Sequence, residues 1–304
     1  MPTPHPIDWR AQALEQELSR EWPGLCVQVR ASVDSTNTRL LESCRAQSGL
    51  PLGPTLLVAE SQTAGRGRSG RSWTAVPGAS LTFSLAVALQ REDWSGLSLA
   101  VGVALAEALD APGGPDGSDG SDGSDGSDGS DFAVPRLMLK WPNDLWLQGR
   151  KLGGVLIETA GCGPQRLCVI GIGLNVEPIT VPDASSGVAC LQELDAALSA
   201  PLALHRVAAP LLRALHAFER DGFAAFEQRY SARDLLLGRE VVAGALHGVA
   251  HGVAANGALR LRCGDGPLAP LRDIVSGEVS VRLQPSPHTS ARAGIDAAAP
   301  NAAC

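Results

Sequence analysis

The sequence predicts an α+β fold, a mixed β-sheet backed by helices and followed by a small β barrel, and three observations predict it. Between residues 25 and 176, apolar runs that alternate like strands interleave with stretches whose apolar residues return at helical spacing. A long helical pattern then covers 203–230. After Asp234 the pattern shifts to short β-type runs separated by turns.

Taken in order, Ile7 to Trp22 reads as an amphipathic helix and Leu25 to Arg30 as a strand. Small polar residues at Ser35 and Thr36 introduce a helix over 37–47, where N-capping alone would account for them. Strands are expected near 25–31, 55–60 and 81–89, a helix near 94–110, and strands near 136–140, 144–148, 152–159 and 166–176. Along Leu202 to Tyr230, Leu211, Leu212, Leu215, Phe218, Phe223 and Phe226 fall largely on one helical face, which is the signature of core. Beyond Asp234 the runs Arg239–Ala243, Leu246–Ala254, Ala258–Arg262 and Gly277–Arg282 predict the small barrel.

Composition narrows the class. A chain of 304 residues with 44% apolar content can bury a sizeable core and suggests one large domain plus a smaller one. No apolar run approaches the ~18 residues of a membrane span, and the first residues lack the apolar stretch of a signal peptide, so the cytoplasm is expected. Seven cysteines, an odd number without Cys-x-x-Cys spacing, point to free thiols in a reducing compartment. His247 and His251 lie four apart in a β pattern, where that spacing makes no helical metal pair. The formal charge of −7 comes largely from an Asp-Gly-Ser repeat over 116–131, which holds six of the 32 acidic residues and leaves 26 against 25 basic ones. That tract has no apolar residue to pack and reads as a disordered loop expansion, as does the tail 285–304.

Three segments carry chemistry. Gln62 to Trp73 places Arg66, Arg68 and Arg71 in a loop broken by Gly65, Gly67 and Gly70, between two strand-like runs. Guanidinium forks match carboxylate and phosphate oxygens, and glycine allows close backbone approach, so the loop is suited to close over an anion. It formally satisfies Gly-x-Gly-x-x-Gly, yet a strand rather than a helix follows at Ser80, which excludes a dinucleotide fingerprint. The second segment, 139–158, ends an apolar run with Lys140, breaks at Pro142-Asn143-Asp144, turns at Gln148-Gly149-Arg150 and resumes as a strand from Lys151. In the third, Val169 to Val176, Gly171 and Gly173 interrupt a buried strand that carries Asn175, marking a close approach of ligand or backbone. No Gly-x-Ser-x-Gly elbow or activated cysteine offers a nucleophile, so the chemistry falls on positioning and electrostatics.

Together with Asp34-Ser-Thr-Asn37, these segments (Gln62 to Trp73, Lys140-Trp-Pro-Asn-Asp144, Lys151-Leu-Gly-Gly154 and Gly171-Ile-Gly-Leu-Asn175) stand in the order found in biotin protein ligases, and the chain resembles that family over roughly 25–284. The resemblance implies a class II synthetase-like catalytic fold with an SH3-like C-terminal barrel. It also implies ATP-dependent formation of biotinyl-5′-adenylate and transfer of biotin to a lysine of a biotin carboxyl carrier domain, of acetyl-CoA carboxylase or a related carboxylase. Biotin and ATP are the substrates, and Mg2+ arrives with ATP.

Residue by residue, the resemblance implies biotin contacts from Ser35, Thr36, Asn37, Gln62, Arg66, Gly67, Arg68, Lys140, Gly171 and Gly173. Arg66, Arg68, Arg71, Trp73, Asn143, Lys151 and Asn175 fall to ATP, with Lys140, Arg66 and Arg68 as the catalytic group. The expected division is a helical arm over 1–24, a catalytic domain over 25–233, an SH3-like domain over 234–284 and the tail. Some members of the family carry a DNA-binding module ahead of the catalytic domain. The 34 residues before Ser35 are too few for one and hold no basic patch, so no nucleic-acid partner is expected, while a homodimer is admitted. The competing readings are a lipoate-protein ligase-type acyltransferase, which shares the fold, and a non-catalytic biotin-binding protein.

Overall fold

The computed structural model describes residues 7–46, 53–110, 135–162, 165–181, 187–264, 266, 269–275 and 281–283. The expectations for 116–131 and for the tail 285–304 lie outside the described residues.

A seven-stranded sheet dominates, built from β1 (Cys26–Val33), β2 (Thr55–Gln62), β3 (Ser80–Ala88), β4 (Leu137–Lys140), β5 (Asp144–Leu147), β6 (Arg150–Cys162) and β7 (Gln165–Asn175). Its order is β1-β2-β3-β7-β6-β5-β4, with β1 and β2 parallel and the other neighbours antiparallel. The mixed sheet is the predicted one.

Strand alternation sends two sets of side chains to opposite faces. Leu81, Phe83, Leu85 and Val87 of β3, with Ile170, Ile172 and Leu174 of β7, enter the large core beneath α1 (Ala11–Glu21), α3 (Leu97–Leu109) and α4 (Ala200–Asp221). Ala86, Ala160, Leu167 and Val169 meet Leu40, Leu41 and Cys44 of α2 (Thr36–Ala46) on the other face. The rest of that second face, Thr82, Ser84, Gly171 and Gly173, is too polar or too small for core, and there the cavity forms.

Local chemistry explains where helix boundaries differ from expectation. α1 starts at Ala11 rather than Ile7 because Arg10 N–H turns back to Asp8 Oδ1 at 3.0 Å with Arg10 at φ 48°. The helix expected over 203–230 stops at Asp221 because Gly222 adopts φ 67°; a 3-10 turn (Gly222–Phe226) and the short α5 (Glu227–Ser231) follow, and these bury Phe223, Phe226 and Tyr230.

The C-terminal region forms a separate antiparallel sheet, β11-β10-β9-β8-β12, from β8 (Glu240–Ala243), β9 (Leu246–Val253), β10 (Leu259–Arg262), β11 (Leu271–Ile274) and β12 (Val281–Leu283). β11 had no counterpart in the sequence reading. This sheet is tied to the β4–β5 hairpin: Leu139 exchanges backbone hydrogen bonds with Arg233 and Leu235, and the buried Trp141 indole donates to Gly257 O at 3.0 Å.

Candidate functional site

The floor of the cavity is a hydrogen-bonded patch where α2 starts above β3. Ser35 caps the helix, its Oγ accepting from Thr38 N–H at 3.4 Å, so capping holds for this residue. Thr36 and Asn37 lie inside the first turn, buried, and are committed elsewhere. Thr36 N–H donates to Gln62 Oε1 at 2.8 Å, with the Thr36 hydroxyl 3.2 Å from the same oxygen, and Ser84 Oγ lies 2.6 Å from both Thr36 Oγ1 and Asn37 Oδ1. Asn37 sits directly on β7, where a Cβ on Gly171 would overlap its side-chain oxygen. Glycine at 171 is therefore a packing necessity for that amide.

The arginine loop forms one wall. Gly67 N–H donates to Arg71 O at 2.6 Å and Trp73 N–H to Gly65 O at 2.9 Å, so the loop doubles back on itself with Arg66 and Ser72 paired. Arg66, Gly67, Arg68 and Arg71 all line the cavity. Burial lowers the Arg68 pKa from its ordinary value, with Asp144 opposing and Arg71 reinforcing that shift. The Trp73 indole lies on Gly173, where any Cβ would strike the ring. Trp73 Nε1 and Thr82 Oγ1, both in residues that line the cavity, are buried without a hydrogen-bond partner. Leaving such groups unmatched costs about 1–3 kcal/mol each, so a wall that keeps two of them fits a ligand with polar atoms to match.

The β5–β6 hairpin supplies the opposite wall. Asn143 Nδ2 donates to Val155 O at 2.8 Å, and Lys151 Nζ stands 2.7 Å from Asp144 Oδ1; all four residues line the cavity.

Two expected site residues do not. Lys140 stands beside the lining, in a small cavity that it shares with Asn143 and Asp144, with its ammonium 4.6 Å from the centre of the Trp146 ring. Burial lowers its pKa, Asp144 opposes, and Lys151 and Arg71 add to the lowering. Asn175 is the second. It ends β7, where the chain leaves the sheet, and donates to Ala189 O at 3.1 Å; Ala189 N–H in turn binds Lys151 O at 2.9 Å. It braces the strand that carries Lys151.

Sequence reasoning missed Thr82, Asp144, Gly154, Leu156 and Ile172 in the lining, and Ser84 beneath it. For Thr82 and Ser84 the polar alternation of β3 was the only signal, whereas Asp144, Gly154 and Ile172 stood inside the quoted motifs without being assigned. The lining holds four cations, Arg66, Arg68, Arg71 and Lys151, against one carboxylate, Asp144. Among the described residues no group of His, Cys, Asp or Glu could hold a metal ion, and Cys26, Cys44, Cys168, Cys190 and Cys263 form no disulfide. Burial pushes the Cys168 thiol up to about 12 and also raises that of Cys190, so neither is a poised nucleophile. The arrangement can draw two anions together at one end and bind a neutral, hydrogen-bonding group at the other.

Comparison with known proteins agrees. Residues 29–175 match the Biotin/lipoate A/B protein ligase family, and 236–282 match the Biotin protein ligase C terminal domain. The chain is 33% identical over 269 residues to the Bifunctional ligase/repressor BirA of Escherichia coli (strain K12), covering 85% of this chain and 75% of that protein. It is 38% identical over 224 residues to the Biotin--[acetyl-CoA-carboxylase] ligase of Mycobacterium tuberculosis, covering 70% and 72%. The fold is similar to that of the biotin protein ligase from Aquifex aeolicus in complex with biotin and ATP, with TM-score 0.65 and 28% identity over 86% of this chain and 100% of that one.

Proposed function

Because this chain belongs to the biotin protein ligase family, we propose that its cavity is the site where biotin is activated and handed to a carrier protein. The enzyme is a biotin--[biotin carboxyl-carrier protein] ligase. A biotin carboxylate oxygen attacks the α-phosphorus of ATP, the bond to the β-phosphate breaks, and pyrophosphate leaves biotinyl-5′-AMP. A carrier lysine amine then attacks the anhydride carbonyl; the C–N bond forms, the C–O bond to phosphate breaks, and AMP departs while the amine sheds a proton.

The observation that carries the assignment of residues is the division of the cavity between a neutral polar floor and a cationic wall. Thr36, Asn37 and Gln62, with Ser84 beneath, suit the ureido ring, which both donates and accepts hydrogen bonds. Ser35 at the helix entrance and the bare backbone of Gly171 and Gly173 complete that end. Lys140, Arg66 and Arg68 are the proposed catalytic group, with Arg71, Trp73, Asn143, Lys151 and Asn175 on the nucleotide side. One such cation about 4 Å from a phosphate oxygen contributes roughly 4 kcal/mol at an effective dielectric near 20. That offsets the repulsion between carboxylate and triphosphate without an enzyme nucleophile.

Magnesium is proposed to enter as the counter-ion of the triphosphate, since Asp144, the one carboxylate of the lining, is engaged with Lys151. The proposed partner is the biotin carrier domain of acetyl-CoA carboxylase or a related carboxylase. Among the described residues no helix is long and apolar enough to cross a membrane, which is compatible with the proposed cytoplasmic location. The proposed division places the catalytic domain at 25–233 and the SH3-like domain at 234–284.

Intact-mass analysis of an unmodified carrier domain, incubated with the protein, Mg-ATP and either biotin or lipoate, tests the reading. A biotin-sized gain that requires ATP is expected. A lipoyl-sized gain would transfer the protein to lipoate ligation, and no gain with either would leave a binding protein.

A further inference from the structure

We propose that Glu158 is a positioning residue that ties the cavity floor to the arginine loop, an inference that rests on the ligase reading above. Glu158 is absent from the residues that line the cavity. Its carboxylate is divided between two that do: Oε2 accepts from Asn37 Nδ2 at 2.9 Å, and Oε1 meets Arg66 Nη2 at 3.0 Å. The carboxylate is 20% exposed and the guanidinium 49%, so the loop is held from its buried side.

The first contact settles an orientation. The two ends of an asparagine amide are nearly alike in shape but opposite in hydrogen bonding. Glu158, whose other oxygen meets Arg66, accepts here, so it fixes the Asn37 NH2 toward itself and Leu156 O, and the Asn37 oxygen toward the Ser84 hydroxyl at 2.6 Å. Flipping the amide would set an oxygen against a carboxylate. The second contact holds the Arg66 guanidinium in one orientation at the wall. A continuous hydrogen-bond chain therefore runs from Gln62 through the backbone N–H and then the hydroxyl of Thr36, and on through Ser84, Asn37 and Glu158 to Arg66. A ligand that pins Asn37 at the floor thereby steadies Glu158 and, through it, the loop that closes over the anhydride.

The test compares Glu158→Gln and Glu158→Ala with the wild-type chain, measuring kcat and biotin KM, and the labelling of lysines outside the carrier by escaped adenylate. The glutamine keeps the shape and an acceptor for Asn37 but removes the charge facing Arg66. It is expected to raise biotin KM and off-carrier labelling roughly 2- to 5-fold, the scale of a part-exposed ion pair, with kcat at saturating biotin and Tm close to wild type. The alanine, which also abandons Asn37, is expected to raise KM about 10-fold or more. Introduced beside Arg66→Ala, the glutamine is expected to add nothing to adenylate escape.

Unchanged KM and adenylate retention in Glu158→Gln, with a wild type that biotinylates the carrier, would overturn the role of Glu158 and leave the ligase standing. A wild type that adds no mass to the carrier would remove both.

Discussion

The Lys151 ammonium lies 2.7 Å from Asp144 Oδ1 at the cavity wall, and glycine at 154 makes room for the pair, since a Cβ there would stand 3.2 Å from that same oxygen. The carboxylate holds the ammonium in place. Lys140, on β4, has its ammonium over the Trp146 ring. Lys140→Ala is expected to lower adenylation by about 100-fold or more, the usual loss for removing a preorganised electrostatic group, while Lys151→Ala costs less than roughly 10-fold. Pyrophosphate release at saturating biotin and ATP measures both, and a reversed ranking would move the reacting cation to Lys151.

Arg68 is partly buried beside Asp144 and Arg71 and lines the cavity. Arg68→Gly removes a cation from the lid and loosens the backbone that carries it. Biotinyl-5′-AMP is then expected to escape and label lysines indiscriminately. Mass spectrometry of a bystander protein in the reaction reads this out; labelling confined to the carrier would show that Arg68 does not retain the intermediate.

Gly171→Ala places a methyl group against the Asn37 amide. Overpacking of this kind costs about 1–3 kcal/mol, and relief requires the amide to leave the floor. Biotin KM should rise at least about 10-fold while the secondary structure is retained. A variant with wild-type KM would mean that Asn37 takes no part in holding biotin.

Burial pushes the Asp234 carboxyl up to about 6, against backbone hydrogen bonds from Leu236 and Leu237. The folded protein thus holds this proton more tightly than the unfolded chain, whose aspartate titrates near 3.9. Its contribution to stability is full below about pH 4, falls as the pH rises to about 6, and is level above that. Asp234→Asn, which retains an acceptor for Leu236 N–H, should flatten this fall and stabilise the protein at pH 7.5 by at most about 3 kcal/mol. Urea midpoints at pH 4.5, 5.5 and 7.5 measure it, and parallel profiles for the two proteins would contradict the burial of a charge at 234.

Legibility varied with the range of the interaction. The strands and the arginine loop were readable because alternation and glycine spacing are local properties, and β2, β3 and β7 formed close to where the pattern placed them. The break in the long helix at Gly222 was missed because the phenylalanines beyond it keep helical spacing while turning into the core by another route. Lys140 was placed on biotin and Lys151 on the nucleotide through the resemblance of their motifs. The register sets Lys140 opposite Asp144 and Trp146 opposite Lys151, so all four side chains share one face of the sheet, a grouping that no local pattern announces.

By itself the sequence determined the mixed sheet with its helices, the separate β region after Asp234, the cationic glycine loop and the absence of a nucleophile, because each follows from neighbours along the chain. The tertiary structure alone decided which lysine meets the cavity, which glycines are needed by Asn37 and Trp73, and that Glu158, 121 positions from Asn37, binds its amide. Those relationships depend on strand order and on which face each residue occupies. A one-residue slip in register would send every one of them to the other side of the sheet.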